Sequence, residues 1–439
     1  MRFPGWALGL CTVLAAGGAS AAIEHSPRPM LRPVMAALKT SPRPTLRPEA
    51  ASADAGSSAE LVKVSAGDSG FQRWVTGFRR RAIAQGISPK VFDWAFSGVH
   101  LDPGVLAKDR HQSEFTKTIW QYLASAASDK RIATGRQMMR KYGRVLDQIQ
   151  RTYHVDKSVV VAIWGMESNY GSHRGSTQII PALATLAYDG RRGKFFEAQL
   201  IDALKIIQQG NVAPRNMTGS WAGAMGHTQF IPSSYLAYAV DFRGDGKRDI
   251  WSDDPTDALA STASYLHRFG WREGQPWGIE VALPRGFNYA LTGHGTHKSV
   301  REWERLGVRT ATGRALPNYG EASVLLPAGA QGAAFLIFHN FKAIEHYNSA
   351  DAYVIAVGYL ASRIEGGPPI RHSWPVGDRA LTSAERQQLQ ARLTRAGFNT
   401  GGVDGRIGPM TIRAIRAYQR HVGMIPDGYA SLALLQRLR

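Results

Sequence analysis

The chain has 439 residues, of which 44% are hydrophobic and 11 are Trp, so it can bury a large core spread over two or three domains. This composition excludes a chain that is disordered throughout. The formal charge of +19 and the pI near 10.2 favour an anionic partner, for which nucleic acid and an anionic polymer are the two candidates.

The N-terminus has the pattern of an export signal. Arg2 precedes an apolar stretch over residues 6–16, and residues 19–21 (Ala-Ser-Ala) form a small-x-small cleavage site. About a dozen apolar residues are too few to span a bilayer. Cys11 lies inside the stretch without a small residue before it, which argues against a lipoprotein anchor. We therefore predict a signal peptide at 1–21 and a periplasmic mature chain without cysteine.

The next segment, 22–69, is predicted to be a linker without a fold of its own. Residues 26–33, Ser-Pro-Arg-Pro-Met-Leu-Arg-Pro, recur as residues 41–48 with Thr in place of Met, and an Ala/Ser/Gly-rich stretch follows. Alternating prolines favour an extended polyproline conformation, and the arginines repel one another. Residues 26–48 are therefore interpreted as a stiff basic spacer or as a weak contact with an anionic wall or membrane surface.

Helical periodicity begins at Phe71, where apolar residues recur at spacings of three and four. The segment 277–325 is instead Gly-rich with short apolar runs, which favours strands or loops. We predict a mainly α (α+β) domain over 70–365 with a small irregular or β part. Its longer amphipathic stretches are predicted at 131–153, 156–169, 194–209, 254–269 and 349–363.

Glu167 is the leading candidate for catalysis. It follows the apolar run 159–164 and stands in the segment Met-Glu-Ser-Asn-Tyr-Gly-Ser, where a buried helix meets a turn. Apolar surroundings disfavour an ionised carboxyl, so an acid placed here is suited to donate a proton. The alternative is a helix-end Glu that pairs with an Arg or faces solvent.

A second candidate segment, residues 219–235, combines Gly and other small residues with Ser, Gln and aromatic side chains. Such a composition lets the backbone approach a ligand closely while polar side chains bind sugar hydroxyl and N-acetyl groups. A Gly-rich connection between two helices is the alternative.

A third segment, residues 241–249, alternates acidic residues with a turn glycine at its sixth position, as calcium-binding loops do. Arg243 occupies a place usually given to an oxygen ligand, and Ser252 rather than Glu stands at the twelfth position. A calcium loop and an Asp-rich turn without metal therefore both remain open.

The C-terminal part follows a break at residues 366–369 (Gly-Gly-Pro-Pro), so we predict a linker at 366–378 and a separate module at 379–439. The turn Asp-Gly-Arg-Ile-Gly-Pro-Met-Thr at 404–411 resembles that of small three-helix peptidoglycan-binding modules. Residues 378–439 contain ten Arg against four acidic residues, which favours a polyanionic partner. A helical appendage of another kind is the alternative.

Four segments together resemble the membrane-bound lytic murein transglycosylase B family, which cleaves bacterial peptidoglycan. They are Glu-Ser-Asn-Tyr-Gly at 167–171, Ala-Leu-Ala-Thr-Leu-Ala-Tyr at 182–188, the segment 220–235, and the pair Tyr347-Asn348. Their order and spacing match most of residues 70–365. The resemblance implies a lysozyme-like catalytic domain.

The resemblance also implies roles for individual side chains around the reacting sugar. Ser220 would orient the muramyl group, and Gln229 would line the site. Tyr347 and Asn348 would lie beside the sugar that reacts.

Further roles implied by the resemblance concern peptide and sugar contacts. Arg191 and Arg192 match a basic pair suited to peptide carboxylates. Phe195 stands where the family has a tyrosine, so a hydroxyl contact is lost there. Sugar stacking or hydrogen bonding, with core packing as the alternative, is predicted for Tyr122, Tyr170 and Tyr265.

The family often has a longer calcium loop, whose closing carboxylate would here be Asp257. The possible calcium ligands are then Asp241, Asp245, Asp249 and Asp257. The ion would be structural, because the reaction implied by the resemblance needs no cofactor.

The mechanism implied by the resemblance uses Glu167 as the sole acid and base. Glu167 protonates the oxygen between N-acetylmuramic acid and N-acetylglucosamine, and the muramyl 6-hydroxyl then attacks intramolecularly to leave a 1,6-anhydro end. A hydrolytic muramidase and a non-catalytic wall-binding scaffold are the alternatives. Nucleic acid is disfavoured as a partner, because the sequence has an export signal and no nucleic-acid-binding motif.

Overall fold

The computed structural model describes residues 57–110 and 117–438, with side chains from residue 69 onward. The predicted signal peptide at 1–21 and the repeat within 26–48 lie outside the described residues. The first helix, α1 (Ser57–Ala84), begins inside the segment predicted as a linker. Residues 57–69 contain no proline and several good helix formers, which is compatible with this early start.

The described residues are mainly helical, as the sequence predicts. Within them, none of the helices combines the length and the apolar character that crossing a bilayer requires. The further helices are α2 (Pro89–Ala95), α3 (Pro103–Arg110), α4 (Ile119–Ala126), α5 (Asp129–Lys141), α6 (Gly143–Tyr153), α7 (Lys157–Ser168), α8 (Ile179–Asp189), α9 (Gly193–Gln208), α10 (Pro232–Tyr238), α11 (Thr256–Arg268), α12 (Val300–Arg305), α13 (His339–Tyr347), α14 (Asp351–Ile364), α15 (Ser383–Arg395), α16 (Pro409–His421) and α17 (Leu432–Arg437).

The described strands form a short ribbon and a small sheet. In the ribbon, β1 (Thr177–Gln178) pairs antiparallel with β2 (Thr218–Gly219). The sheet is antiparallel with the order β4-β6-β7-β3-β5. Its strands are β3 (Gly278–Ala282), β4 (Lys298–Ser299), β5 (Arg309–Thr310), β6 (Glu321–Leu325) and β7 (Ala334–Ile337).

The amphipathic stretches predicted from the sequence are helices, with one difference. The stretch 131–153 is two helices, α5 and α6, which meet at Tyr142 with φ −105° and ψ 18°. Gly143 follows this break, and glycine is a poor helix former. The Gly-rich segment 277–325 contains strands β3 to β6, the short α-helix α12 and a 3-10 helix, Tyr289–Leu291.

Buried apolar side chains form three clusters. The largest joins α1 to α11 with α13 and α14 and contains the fully buried Trp164. A second lies between the sheet and α12 around Trp303, whose indole N–H donates to the Ala322 carbonyl at 2.9 Å. The third belongs to the C-terminal helices α15 to α17 and includes Leu389 and Ile415. The C-terminal module therefore has its own core.

The C-terminal module nevertheless rests on the sheet region. The Asp427 carboxylate accepts a hydrogen bond from the Ala330 N–H at 2.9 Å, and Arg416 donates to the Thr292 hydroxyl at 2.7 Å. The predicted linker 366–378 is packed as well, because Trp374 stacks on Trp120 with ring centroids 6.3 Å apart. The break at 366–369 therefore separates the core of the large helical domain from that of the C-terminal module, but the module still packs against the rest of the protein.

Candidate active site

Glu167 lies in the last turn of α7, and its side chain is half-buried. The helix ends because three consecutive residues take left-handed backbone conformations: Asn169 (φ 50°), Tyr170 (φ 58°) and Gly171 (φ 83°). This turn folds the Tyr170 ring back over the helix. A Cβ at Gly165 would lie 2.6 Å from that ring, so only glycine fits beneath it.

Tyr353, in the first turn of α14, is a hydrogen-bond partner of the candidate acid. Its hydroxyl donates to Oε1 of Glu167 at 2.8 Å, and its side chain is buried. A donor of this kind stabilises the carboxylate form and fixes the orientation of the carboxyl group. Nothing in the sequence distinguishes Tyr353 as a site residue, since an aromatic residue in an amphipathic helix usually belongs to the core.

Tyr353→Phe is expected to lower kcat by roughly 10-fold with little change in KM, because a hydrogen bond to the acid is lost while the sugar contacts remain. Steady-state kinetics on soluble glycan fragments would measure this. Tyr359→Phe, on the partly exposed face of the same helix, is the matched control. Equal kinetics for the two variants would remove Tyr353 from the site.

The carboxyl end of α7 is fixed to the segment 219–235 through His227. The Trp164 indole N–H donates to His227 Nδ1 at 3.1 Å, and the Ser168 hydroxyl donates to the His227 carbonyl at 2.5 Å. His227 Nε2 lies 2.7 Å from the Ser252 carbonyl, so Nε2 carries the proton and Nδ1 accepts. The ring is 3% exposed. His227 therefore connects the helix of Glu167 to two loops.

Stability is expected to fall as the pH drops below about 6.5, the ordinary histidine value. Burial lowers the pKa of His227, and the Ser252 carbonyl and nearby Asp253 only partly oppose it. The unfolded chain therefore takes up the proton first, and the loss continues until the pH reaches the lowered pKa of the folded state. Urea unfolding at a series of pH values would measure it. In His227→Asn this part of the pH slope should disappear, and an unchanged slope would contradict the assignment.

Gly171→Ala is expected to reduce the free energy of unfolding by roughly 2–4 kcal/mol, from backbone strain plus a clash. Gly171 has φ +83°, and a Cβ there would lie 2.5 Å from His227 Nδ1. Gly86→Ala is the control, since Gly86 has φ +87° but no atom within 4 Å of the added Cβ. It should cost only about 1 kcal/mol, from strain alone. Similar losses in the two variants would show that the His227 contact does not matter.

The Gly-rich segment 219–235 packs backbone against backbone. A Cβ at Gly175 would lie 2.2 Å from the Gly219 carbonyl oxygen, and a Cβ at Gly219 would lie 2.1 Å from that of Ala224. The Ser220 hydroxyl accepts a hydrogen bond from the Ala224 N–H at 3.0 Å, and its side chain is partly exposed. The glycines thus allow a tight turn that presents Ser220 at the surface of the segment.

Gln229 has a mainly structural environment. Its side chain is 5% exposed, and its amide nitrogen donates to the carbonyls of Arg174 at 2.8 Å and Gly226 at 2.9 Å. Its backbone is left-handed, with φ 58°. A direct sugar contact from Gln229 stays a prediction, whereas its hydrogen bonds to the backbone of Arg174 and Gly226 are observed.

Tyr347 and Tyr265 pack together beneath the segment 219–235. Tyr347 is fully buried and donates to the Thr228 carbonyl at 2.5 Å, while Tyr265 is 3% exposed and donates to the His346 carbonyl at 2.6 Å. Their ring centroids are 5.0 Å apart. Because both rings are buried, neither offers a face on which a sugar could stack. Their hydroxyls instead hold the backbone at Thr228 and His346. Asn348, at the end of α13, is partly exposed.

Tyr122 and Tyr170 are also largely buried, at 5% and 8% exposure. The Tyr170 hydroxyl donates to the Arg131 carbonyl at 2.8 Å, and burial raises the pKa of Tyr170. Sugar stacking on either ring stays a prediction that this packing does not favour.

The predicted basic pair separates into two environments. Arg191 donates from Nε to the buried Asp109 carboxylate at 3.0 Å and from a terminal nitrogen to the Asp109 carbonyl at 2.9 Å. The Arg192 guanidinium lies over the Phe195 ring, 4.6 Å from its centroid. Arg191 remains half-exposed beside Asp109, so a peptide carboxylate would have to share it.

The acidic loop, defined here as residues 241–257, is held by backbone N–H groups. Asp241 accepts from Gly244 and Gly246, each at 2.7 Å. Burial opposes ionisation of Asp241, but these backbone donors outweigh it and lower its pKa. One carboxylate oxygen each from Asp241, Asp245 and Asp257 lie within 4.8 Å of one another, as metal ligands would.

The surroundings of Arg243 do not fit calcium. Its guanidinium lies 3.1 Å from Asp245 and 3.5 Å from Asp249. It also lies 3.6 Å from the fully buried Asp257. A positive group thus already stands among the carboxylates that the sequence proposes as ligands.

A mainly helical, lysozyme-like domain that presents a supported carboxyl at the end of a buried helix is typical of enzymes that cleave glycans. A transglycosylase SLT domain model matches residues 70–362, and a peptidoglycan-binding domain model matches residues 382–438. The chain belongs to the transglycosylase SLT domain family, which confirms the resemblance seen in its sequence.

Three relatives illustrate the similarity. SltB3 of Pseudomonas aeruginosa, solved with NAG-NAM-pentapeptide, is 51% identical, with a TM-score of 0.82 over 84% of this chain and 99% of that chain. Membrane-bound lytic murein transglycosylase B of Escherichia coli is 34% identical over 51% of this chain and 61% of its own length. Escherichia coli SLT35, solved with calcium, is 28% identical, with a TM-score of 0.58 over 68% of this chain and 93% of that chain.

Proposed function

We propose that the chain is a lytic transglycosylase that cleaves the β-1,4 bond between N-acetylmuramic acid and N-acetylglucosamine in peptidoglycan. The observation that carries this proposal is Glu167, half-buried at the end of α7 and hydrogen-bonded by Tyr353, inside a domain of the transglycosylase SLT family. The SltB3 relative, which aligns over nearly its whole length, binds peptidoglycan fragments.

In the proposed reaction, Glu167 first donates its proton to the glycosidic oxygen as the bond to the muramyl anomeric carbon breaks. The resulting carboxylate then takes the proton of the muramyl 6-hydroxyl, whose oxygen forms the new bond to that carbon. The acid is regenerated, and the product is a 1,6-anhydro end. Because the nucleophile belongs to the substrate, proximity replaces a second carboxylate.

Ser220 and Asn348 are proposed to contact the sugar, because they are partly exposed, whereas Gln229 and Tyr347, the other two residues predicted around the reacting sugar, are buried. Gln229 and Tyr347 are proposed to act through backbone, since each donates to carbonyl groups within or next to the segment 219–235. Tyr353 is proposed to orient the carboxyl group of Glu167.

The C-terminal module, residues 379–439, is proposed to hold the enzyme on the wall. The module has its own core, and its sequence contains more Arg than acidic residues. Residues 1–21 are proposed to direct the chain to the periplasm, where peptidoglycan lies. Residues 26–48 would add a weak contact with an anionic surface.

Digestion of purified sacculi followed by mass spectrometry tests the proposal. A transglycosylase releases anhydro products, each lighter by one water than the product of hydrolysis. Reducing ends in their place would identify a hydrolytic muramidase, and the absence of soluble products would favour a wall-binding scaffold. Adding calcium or chelator should not change the product.

A further inference from the structure

The acidic loop 241–257 is folded around the side chain of Arg243. The Arg243 side chain is 26% exposed and lies within 4 Å of four carboxylates, those of Asp245, Asp249, Asp254 and Asp257. A guanidinium can meet several carboxylates at once, because its donors point in different directions in one plane.

Asp257 is the carboxylate of the acidic loop that most needs a positive neighbour. Its side chain is fully buried, and its two oxygens accept from the N–H groups of Phe242, Arg243 and Asp249 at 3.0–3.1 Å. Burial raises the pKa of Asp257, which these donors and the Arg243 charge oppose. A buried carboxylate without a positive neighbour is costly, so a nearby cation is needed.

We infer that Arg243 is the resident cation of the acidic loop, so this chain folds the loop without calcium and does not bind the ion there. The guanidinium stands at the third position of the loop, where a calcium loop places an oxygen ligand. The positive charge of Arg243 balances the negative charge of carboxylates that would otherwise coordinate the ion. The SLT35 relative was solved with calcium.

The acidic loop is connected to the candidate active site. Asp249, which Arg243 contacts, accepts from the Ser252 N–H at 3.1 Å, and the Ser252 carbonyl faces His227 Nε2 at 2.7 Å. His227 in turn accepts from Trp164 in the helix of Glu167. Arg243 is therefore a positioning residue whose loss should loosen the site as well as the loop.

Thermal unfolding in chelator and in millimolar calcium tests this inference with the full chain. The unaltered protein should have the same Tm in both conditions, and terbium luminescence should detect no lanthanide binding. Arg243→Gln should lower the Tm by roughly 4–8 °C in chelator. Arg243→Asp, which adds a carboxylate at the third position, should lower it further in chelator and regain stability with calcium.

Arg285→Gln is the matched control, because Arg285 is exposed and its loss should leave the Tm unchanged. A Tm increase with calcium in the unaltered protein would overturn the inference. So would an Arg243→Gln variant as stable as Arg285→Gln. An Arg243→Asp variant that does not respond to calcium would show that the guanidinium does not stand where an ion would bind.

Discussion

Glu167→Gln is expected to keep the fold and reduce cleavage of peptidoglycan by at least roughly 10³-fold, because in the proposed reaction one group supplies both the acid and the base. The amide preserves the shape of the side chain and can still meet the Tyr353 hydroxyl, but it cannot donate and then retrieve a proton. Release of anhydro products from sacculi, measured by chromatography, would show the loss.

Two comparisons make this experiment decisive. The Tm of Glu167→Gln should stay close to that of the unaltered protein, which separates lost chemistry from lost folding. Glu365→Gln, which removes an exposed acid at the end of α14, should retain full activity. Substantial turnover by Glu167→Gln would assign the proton transfers to another residue.

Deleting residues 379–439 is expected to weaken binding to intact sacculi by on the order of 10²-fold while cleavage of short soluble fragments changes little. A tethered binding module raises the local concentration of an insoluble polymer at the catalytic domain, whereas a short ligand gains nothing from it. Pelleting with sacculi and kinetics on soluble fragments would measure the two effects separately.

The structure supplies a control for this deletion, because the module is docked rather than free. Removing it uncovers the Ala330 N–H and the Thr292 hydroxyl, both of which water can satisfy. Arg416→Gln keeps the module but loses its bond to Thr292, so it should still bind sacculi. An equal loss of activity on both substrates after deletion would make the module a structural support of the catalytic domain.

The place of Glu167 at the end of a buried helix could be predicted, because a continuous apolar run before a polar turn indicates such a helix. The mainly helical fold followed from the spacing of apolar residues in the same way. The division of 131–153 into two helices could not be predicted in this way, because the apolar periodicity continues across Tyr142 while the backbone turns there.

The contacts that complete the site could not be predicted from the sequence, because they join residues that are far apart along the chain. Tyr353 meets Glu167 across 186 residues, and nothing in its neighbourhood distinguishes it from a core aromatic. For Tyr265 the sequence leaves a sugar contact and core packing open, and for Tyr347 it predicts a place beside the sugar. Only the fold shows that their hydroxyls donate to the carbonyls of His346 and Thr228. The sequence indicated that Arg243 weakens a calcium site, but only the fold shows its guanidinium among the carboxylates.

The bond between Tyr353 and Glu167 also sets an order of events during synthesis. A chain that grows from its N-terminus presents Glu167 long before α14 exists, so the carboxyl group lacks this partner until residue 353 has emerged. The His227 contact, 63 residues beyond Trp164, forms earlier but is still non-local. Helix α14 also belongs to the core that surrounds α7, so fragments that end before α14 lack more than the Tyr353 hydroxyl and should be inactive. The protein should therefore become competent late, after almost all of its catalytic domain is made.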